Sequence, residues 1–399
     1  MSFNINAYNI KDTLFTDSGK PIHKVINHYD IYLDRTTFLF GGTETGKTTI
    51  IKDILFYLKN LIPNTMVVCP TTSLGDYEDL FPAISFKTDL TKQDLIKLWK
   101  RQQDSTQIYE MVNDVDNLKL LFNHVYDRYT DNYIKELERK TANVITNIKA
   151  EVRDFAQQKK IIDDINEKKD KRIIIAYKNT IRKQLNTLKT LENNKQLSDM
   201  DKIIINYLDF NPRIILVIDD CSEKFSKWMK YFKKTEENVF EKIGYRGRHN
   251  FITFIVVAHD DTLIPPPLRK NCLISFYTSS QAVMSSFGKS SMGYTKNECK
   301  RAIECANKIF PFEEGEEKSK SYEKFAYIKK SSSPFRYHIA KIRPGFKMGS
   351  QCLWDLSAKL PKKTHDISNN SLLNNILNNK KEKKKKGTYM KRKSKRVYK

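Results

Sequence analysis

Phe38-Leu39-Phe40-Gly41-Gly42-Thr43-Glu44-Thr45-Gly46-Lys47-Thr48-Thr49 runs straight into Ile50-Ile51-Lys52-Asp53-Ile54-Leu55. Gly41, Gly46, Lys47 and Thr48 occupy the fixed positions of the pattern G-x-x-x-x-G-K-[ST]. Each residue type has a physical task there. Glycines let backbone N–H groups turn inward around phosphate oxygens, lysine reaches the β- and γ-phosphates, and the threonine hydroxyl suits Mg²⁺. The flanks supply the context that a bare pattern lacks. Thr36 to Phe40 are β-branched and aromatic, as in a buried strand, while Ile50, Ile54, Leu58 and Ile62 recur at helical spacing until Pro63. A helix starting there aims its positive end at the same anion. The stretch Gly41, Gly42, Thr43, Glu44, Thr45, Gly46, Lys47, Thr48 and Thr49 is therefore the expected nucleotide site, with ATP and Mg²⁺ as cofactors.

The 399 residues suffice for a full α/β core with additions, and the formal net charge of +24 favours a polyanionic partner, nucleic acid foremost. Six cysteines (Cys69, Cys221, Cys272, Cys299, Cys305 and Cys352) form no C-x-x-C pair and no zinc-finger spacing, so reduced and mostly buried thiols are expected. Met1 to Asn9 lack the basic stretch and apolar core of a secretory signal. No apolar run approaches about 18 residues, which argues against a membrane span. These features point to a soluble intracellular protein.

Outward from the loop, the chain changes character twice. Residues 1–88 comprise an N-terminal arm and the first part of an ATPase core, in which Thr65 to Pro70 reads as a second buried strand. From 89 to 208 glycine disappears, charged residues dominate and apolar residues step by three and four. Ile134, Leu137, Ile145, Ile148, Val152, Phe155 and Ile162 trace one seam, and Ile174, Ile181, Leu185 and Leu188 a shorter one. Two or three helices folded as a hairpin are expected, serving as a partner- or DNA-contacting arm or as a spacer. Residues 209–358 return to α/β: Ile214 to Ile218, Phe251 to Ala258 and Cys272 to Tyr277 are runs apolar on both faces, suited to a parallel sheet. Glu323 to Ile328 and Phe335 to Ile342 read as paired strands. Residues 359–399 are low in complexity. The last twenty hold twelve Lys/Arg and one Glu, hence +11 of the net +24, and read as a disordered basic tail. Lys391 to Arg396 has the composition of a nuclear import signal as well as of a DNA-binding tail.

Ile215 to Ile218 followed by Asp219-Asp220 is the hydrophobic-strand-plus-acid pattern expected opposite such a loop. Asp219 would hold Mg²⁺ together with Thr48, and Asp220 would orient and deprotonate the attacking water. His259 ends the next strand and could sense the γ-phosphate. Phosphoryl transfer also needs a cation for developing charge, for which Arg246, Arg248 and Arg269 are candidates. The catalytic set is thus Lys47, Asp220, Arg248, His259 and Arg269.

The glycine loop, the strand ending Asp219-Asp220-Cys221, the segment Gly247-Arg248-His249-Asn250-Phe251, and Leu263-Ile264-Pro265 with Leu268-Arg269-Lys270-Asn271 together resemble the genome-packaging ATPases of large nucleocytoplasmic DNA viruses, the poxvirus-type branch of the FtsK/HerA P-loop superfamily. The resemblance covers roughly 35–85 and 208–345. It implies a RecA-like P-loop NTPase core with a mostly parallel sheet. It further implies an ATP-driven translocase gripping double-stranded DNA without sequence readout, working as a homo-oligomeric ring with capsid or portal-like viral proteins, in the host cytoplasm (the viral factory) and the virion. Two positions depart from the family pattern: His259 stands where Gln is usual, and Glu44 where a small residue is common. Glu44 is expected to face away from the γ-phosphate. The alternatives are a helicase or recombination ATPase on viral or mobile-element DNA, and a structural DNA-binding protein that holds nucleotide without turnover.

Overall fold

Strands whose residues are apolar on both faces can lie only in the middle of a covered sheet, and that is where they are found in the computed structural model. It describes residues 4–70, 75–194, 196–233, 236–261, 264–288, 294–311 and 323–359. The chain divides into two units, Met1–Trp354 and Asp355–Lys399. The basic tail expected beyond 359 lies outside the described residues.

Among the described residues the strands are β1 (Thr13–Phe15), β2 (Pro21–Lys24), β3 (Thr36–Phe40), β4 (Asn64–Val68), β5 (Phe86–Lys87), β6 (Ile214–Ile218), β7 (Ile252–Ala258), β8 (Ile274–Tyr277), β9 (Glu323–Ile328) and β10 (Phe335–Ile339). They form one sheet in the order β1-β2-β10-β9-β8-β3-β7-β6-β4-β5. The six strands from β8 to β5 are mutually parallel. β9 adds antiparallel to β8, and β10 antiparallel to β9. Two consequences decide the site. All six parallel strands end at one edge, where ligands of open α/β sheets bind. The acid-bearing β6 is also separated from the loop-bearing β3 by the inserted strand β7.

Successive strand residues point to opposite faces, and the core splits accordingly. Phe38, Phe40, Leu216, Ile218, Phe254 and Val256 belong to one hydrophobic cluster. Leu39, Val67, Ile215, Val217, Ile255 and Val257 belong to the other. Helix α1 (Lys47–Leu58) covers the second face with Ile50, Ile51, Ile54, Leu55 and Leu58, all at most 1% exposed.

Six helices follow β5: α2 (Lys92–Met111), α3 (Val115–Asn123), α4 (Arg128–Glu151), α5 (Phe155–Lys183), α6 (Leu185–Asn193) and α7 (Asp199–Tyr207). They do not behave as one arm. Leu95, Leu98 and Trp99 of α2 join the sheet's first-face core. Gln102 of α2 donates from Nε2 to the carbonyls of Pro212 (3.0 Å) and Asn250 (2.9 Å), just before β6 and β7. Helices α3 to α7 close a separate cluster around Leu121, Phe122, Ile134, Tyr177, Ile181 and Ile204. The long apolar seam expected from Ile134 to Ile162 is broken: the chain turns between Glu151 and Phe155, where the Asp154 side chain caps α5 by accepting from Gln157 N–H. Of that seam only Ile134 is buried.

After β6 come α8 (Phe225–Met229), α9 (Val239–Arg246), α10 (Pro266–Asn271), α11 (Ser280–Phe287) and α12 (Lys296–Ile309); α13 (Gln351–Ala358) ends the described chain. Thr295 caps α12 with a full capping box to Glu298. Beyond β10, residues 340–350 run as a strap over the outside of α1. Arg343 stacks over the Phe56 and Tyr57 rings and Phe346 packs edge-on against Phe56. Under the strap, Asp53 is fully buried. Its carboxylate accepts from Arg343 Nε (2.6 Å) and Asn27 Nδ2 (3.2 Å), and His338 Nε2 lies 3.4 Å away.

Candidate functional site

The loop after β3 has the backbone that its glycines permit. Gly46, at φ +84°, is the N-cap of α1. Gly41 lies at φ +155°, and a Cβ there would come within 1.7 Å of Thr278 Oγ1. Thr278, just past β8, uses that hydroxyl on the Phe40 carbonyl (3.3 Å) and on Thr45 Oγ1 (2.7 Å), so the glycine is where a neighbouring strand end pins the loop. Lys47 Nζ donates to the carbonyls of Gly41 (2.9 Å) and Gly42. Burial lowers the Lys47 ammonium, while the carboxylates of Asp219 and Asp220 pull it back up.

A cavity of about 380 Å³ opens at this edge of the sheet. The loop contributes Thr43, Glu44, Gly46, Lys47 and Thr48 to it, β6 contributes Asp219 and Asp220, and β7 contributes His259. The three strand ends named from the sequence are thus brought together in one pocket. Asp219 is buried, with its N–H on the Val68 carbonyl (2.9 Å). Burial raises its carboxyl above the ordinary value, opposed by a hydrogen bond from Tyr77 and the charge of Lys47. Asp220 sits in the left-handed region at φ +52° and meets His259 Nε2 at 3.0 Å through Oδ1. Non-glycine residues held there concentrate at functional sites. The inserted β7 therefore does a specific job, delivering an imidazole onto the second acid.

Thr48 and Asp219 are oxygen ligands in one pocket, the donor type Mg²⁺ takes. No cluster of three or more His, Cys, Asp or Glu fit to hold a metal by itself occurs among the described residues. Glu44, expected to face away, is exposed but lines the pocket, at φ +59°. Gly41, Gly42, Thr45 and Thr49 support the loop rather than line the cavity.

Both arginines lie elsewhere. Arg248 sits just before β7, at the opposite sheet edge, where it lines a second cavity of about 200 Å³ together with Arg35, Lys329 and Lys330. Arg269 of α10 is committed inward. Its side chain is 6% exposed, and Nη1 pairs with Asp261 Oδ2 at 3.1 Å, an oxygen that also accepts from Ser286 (2.7 Å). That buried ion pair ties the turn after β7 to α10, the Ser286 hydrogen bond ties the same turn to α11, and Arg269 does not line the cavity.

The structure also brings up residues the sequence reading did not name. Asp76 lines the pocket from the turn after β4, and the adjacent Tyr77 donates its hydroxyl to Asp219 Oδ2 at 2.6 Å. Lys324 of β9 extends along Gly46, its Cε 3.7 Å from where a Cβ of Gly46 would stand. Strand alternation could have found Lys324, since it shares a face with Ala326 and Ile328. Nothing local marks Tyr77 or Asp76.

No family model matches the chain. It is similar to the "uncharacterized protein B354L" of African swine fever virus (isolate Pig/Kenya/KEN-50/1950), 29% identical over 359 residues, covering 86% of this chain and 92% of that one. Solved structures similar to it include the DNA-packaging ATPase B204 of Sulfolobus turreted icosahedral virus (12% identical, 78% of this chain and 100% of that one, TM-score 0.32). Another is EssC (ATPases 2 and 3) of Geobacillus thermodenitrificans (12% identical, 85% of this chain, TM-score 0.34), of which the chain spans about half, 47%. By its own loop, strand order and acid pair this chain has the mixed α/β P-loop ATPase fold, and it is similar along most of its length to a protein of African swine fever virus.

Proposed function

We propose that the protein is an ATP-hydrolysing motor that translocates double-stranded DNA and packages a viral genome into a preformed capsid. The observation that carries the hydrolytic part is the convergence of Lys47, Thr48, Asp219, Asp220 and His259 on one pocket from three different strand ends. A protein that merely held nucleotide would have no use for a second acid hydrogen-bonded to an imidazole. The DNA part is supported by the net charge of +24 and by the Gly247–Phe251 and Leu263–Asn271 segments; phosphate contacts need no sequence readout.

In this reading the N–H groups of the loop and Lys47 bind the β- and γ-phosphates. Thr48 and Asp219 hold Mg²⁺, which would neutralise charge on the phosphate oxygens. Asp220 orients the attacking water and takes its proton, and His259 fixes the carboxylate through its 3.0 Å contact. Arg248 acts in trans. The loop and Arg248 lie at opposite ends of β3 and β7, and a five-residue strand is about 17 Å long, too far for an arginine to reach its own subunit's phosphates. A ring of identical subunits would place that edge against a neighbour's nucleotide. The host cytoplasm is the compartment this reading proposes.

Phosphate release measured with and without duplex DNA tests it. Wild-type protein is expected to hydrolyse ATP faster with DNA, and Lys47→Ala and Asp220→Asn are each expected to abolish turnover, the second while still binding nucleotide. Release that ignores DNA, or that survives both substitutions, would overturn the motor reading.

A further inference from the structure

The turn after β4 carries the most buried polar contact of the pocket. Tyr77 is 0% exposed and its hydroxyl donates to Asp219 Oδ2 at 2.6 Å. We propose that Tyr77 is a positioning residue for the metal-holding carboxylate: by occupying Oδ2 it fixes the rotamer of Asp219 and leaves Oδ1 as the oxygen for the divalent cation. The proposal rests on the nucleotide-site reading above and deepens it.

Two features separate this from a tyrosine that happens to be buried. The first is rigidity. The Tyr77 carbonyl accepts from Leu80 N–H (2.9 Å) and Phe81 N–H (3.0 Å), and the Leu80 carbonyl accepts from Met348 N–H of the strap (2.8 Å). The hydroxyl is therefore held in place from both the turn and the strap, and the same strap is ion-paired to α1 through Arg343 and Asp53. The second is chemistry. A carboxylate that binds a hard cation is ordinarily oriented by a further hydrogen bond, and removing such a partner typically costs about 10–100-fold in metal affinity or activity.

The test uses the full chain with a fluorescent ATP analogue and Mg²⁺. Tyr77→Phe keeps the ring and removes the donor. The Mg²⁺ concentration for half-maximal nucleotide binding is expected to rise roughly 10-fold or more, with binding in EDTA unchanged. In an Asp219→Asn background the same substitution should add nothing to the Mg²⁺ dependence. Incorporating 3-fluorotyrosine at position 77 retains the hydroxyl and its contact with Asp219, so the Mg²⁺ half-point should stay close to that of the wild-type protein. An unchanged Mg²⁺ half-point with Tyr77→Phe, additivity with Asp219→Asn, or a half-point with fluorotyrosine as high as that of Tyr77→Phe each overturns the positioning role. Failure of the underlying reading looks different: wild-type protein would then bind the analogue without Mg²⁺ dependence.

Discussion

At the scale of single residues, the pocket is built from conformations that ordinary side chains avoid. Glu44 and Asp220 both lie at positive φ, at φ +59° and +52°. For Asp220 the reward is visible, because that backbone turns its carboxylate toward His259. For Glu44 no such partner occurs among the described residues; it brings a negative charge to the rim of the cavity. A unit charge across a half-wet cleft opposes an anion by a fraction of the pairwise energy in a dry site, so Glu44→Gln is expected to tighten nucleotide binding by roughly 3-fold. Isothermal titration of ATP binding at low and high salt checks this. The gain should shrink as salt screens it, and weaker binding would mean that Glu44 is a ligand. The loop, the acid pair and His259 were legible because each ends or follows an apolar run that could be read locally. Tyr77 was not, since its partner is 142 positions away. The pairing of Arg269 with Asp261 spans only 8 positions, yet nothing in the local sequence shows that both side chains will be buried.

At the scale of elements, the loop helix is anchored from behind as well as in front. Asp53 carries a full charge at zero exposure and is held by Arg343, Asn27 and His338. Burial alone would raise its carboxyl, but hydrogen bonds and charge from His338 and Arg343 together hold it below the ordinary range. The sign follows. A depressed folded-state value gives stability that is present above the unfolded value and is lost as pH falls through the folded one. Removing one partner of a buried pair costs about 3–5 kcal/mol, so Asp53→Asn should lower the melting temperature markedly at pH 7. The gap to wild type should narrow as pH falls below the usual carboxylate range, which thermal melts across a pH series would show. A gap constant with pH would mean that lost packing dominates. The strands on either side of α1 were readable from their apolar runs. The partition of the helical segment was not, because α2 and α3–α7 share the same charged composition and differ only in what Leu98, Trp99 and Gln102 meet in space.

At the scale of the whole molecule, the sheet carries a cavity at each end of its parallel strands. One holds the cavity with Lys47, Asp219 and Asp220, and the other a cavity lined by Arg35, Arg248, Lys329 and Lys330. The first was foreseeable from motifs. The second was not, because Arg35, Arg248 and Lys329 come from segments that meet only once β3, β7 and β8 are aligned. A head-to-tail ring would join unlike edges, so that every interface is heterologous and each is closed by the next subunit. Subunit mixing measures this. Arg248→Ala and Asp220→Asn proteins should each be inactive alone, yet an equimolar mixture should regain about a quarter of the wild-type rate, because that share of interfaces pairs an intact pocket with an intact arginine. A mixture as dead as its components would place the acting cation within the subunit.

The separation of Arg248 from its own pocket by the length of a strand carries a further meaning for control. If Arg248 acts on a neighbour's nucleotide, as proposed above, a chain freed from its ring would bind ATP and not spend it. Turnover would then switch on only at the point of assembly, and the protein would need no separate inhibitor to keep it idle. The distance across one β-strand would serve as its safety catch.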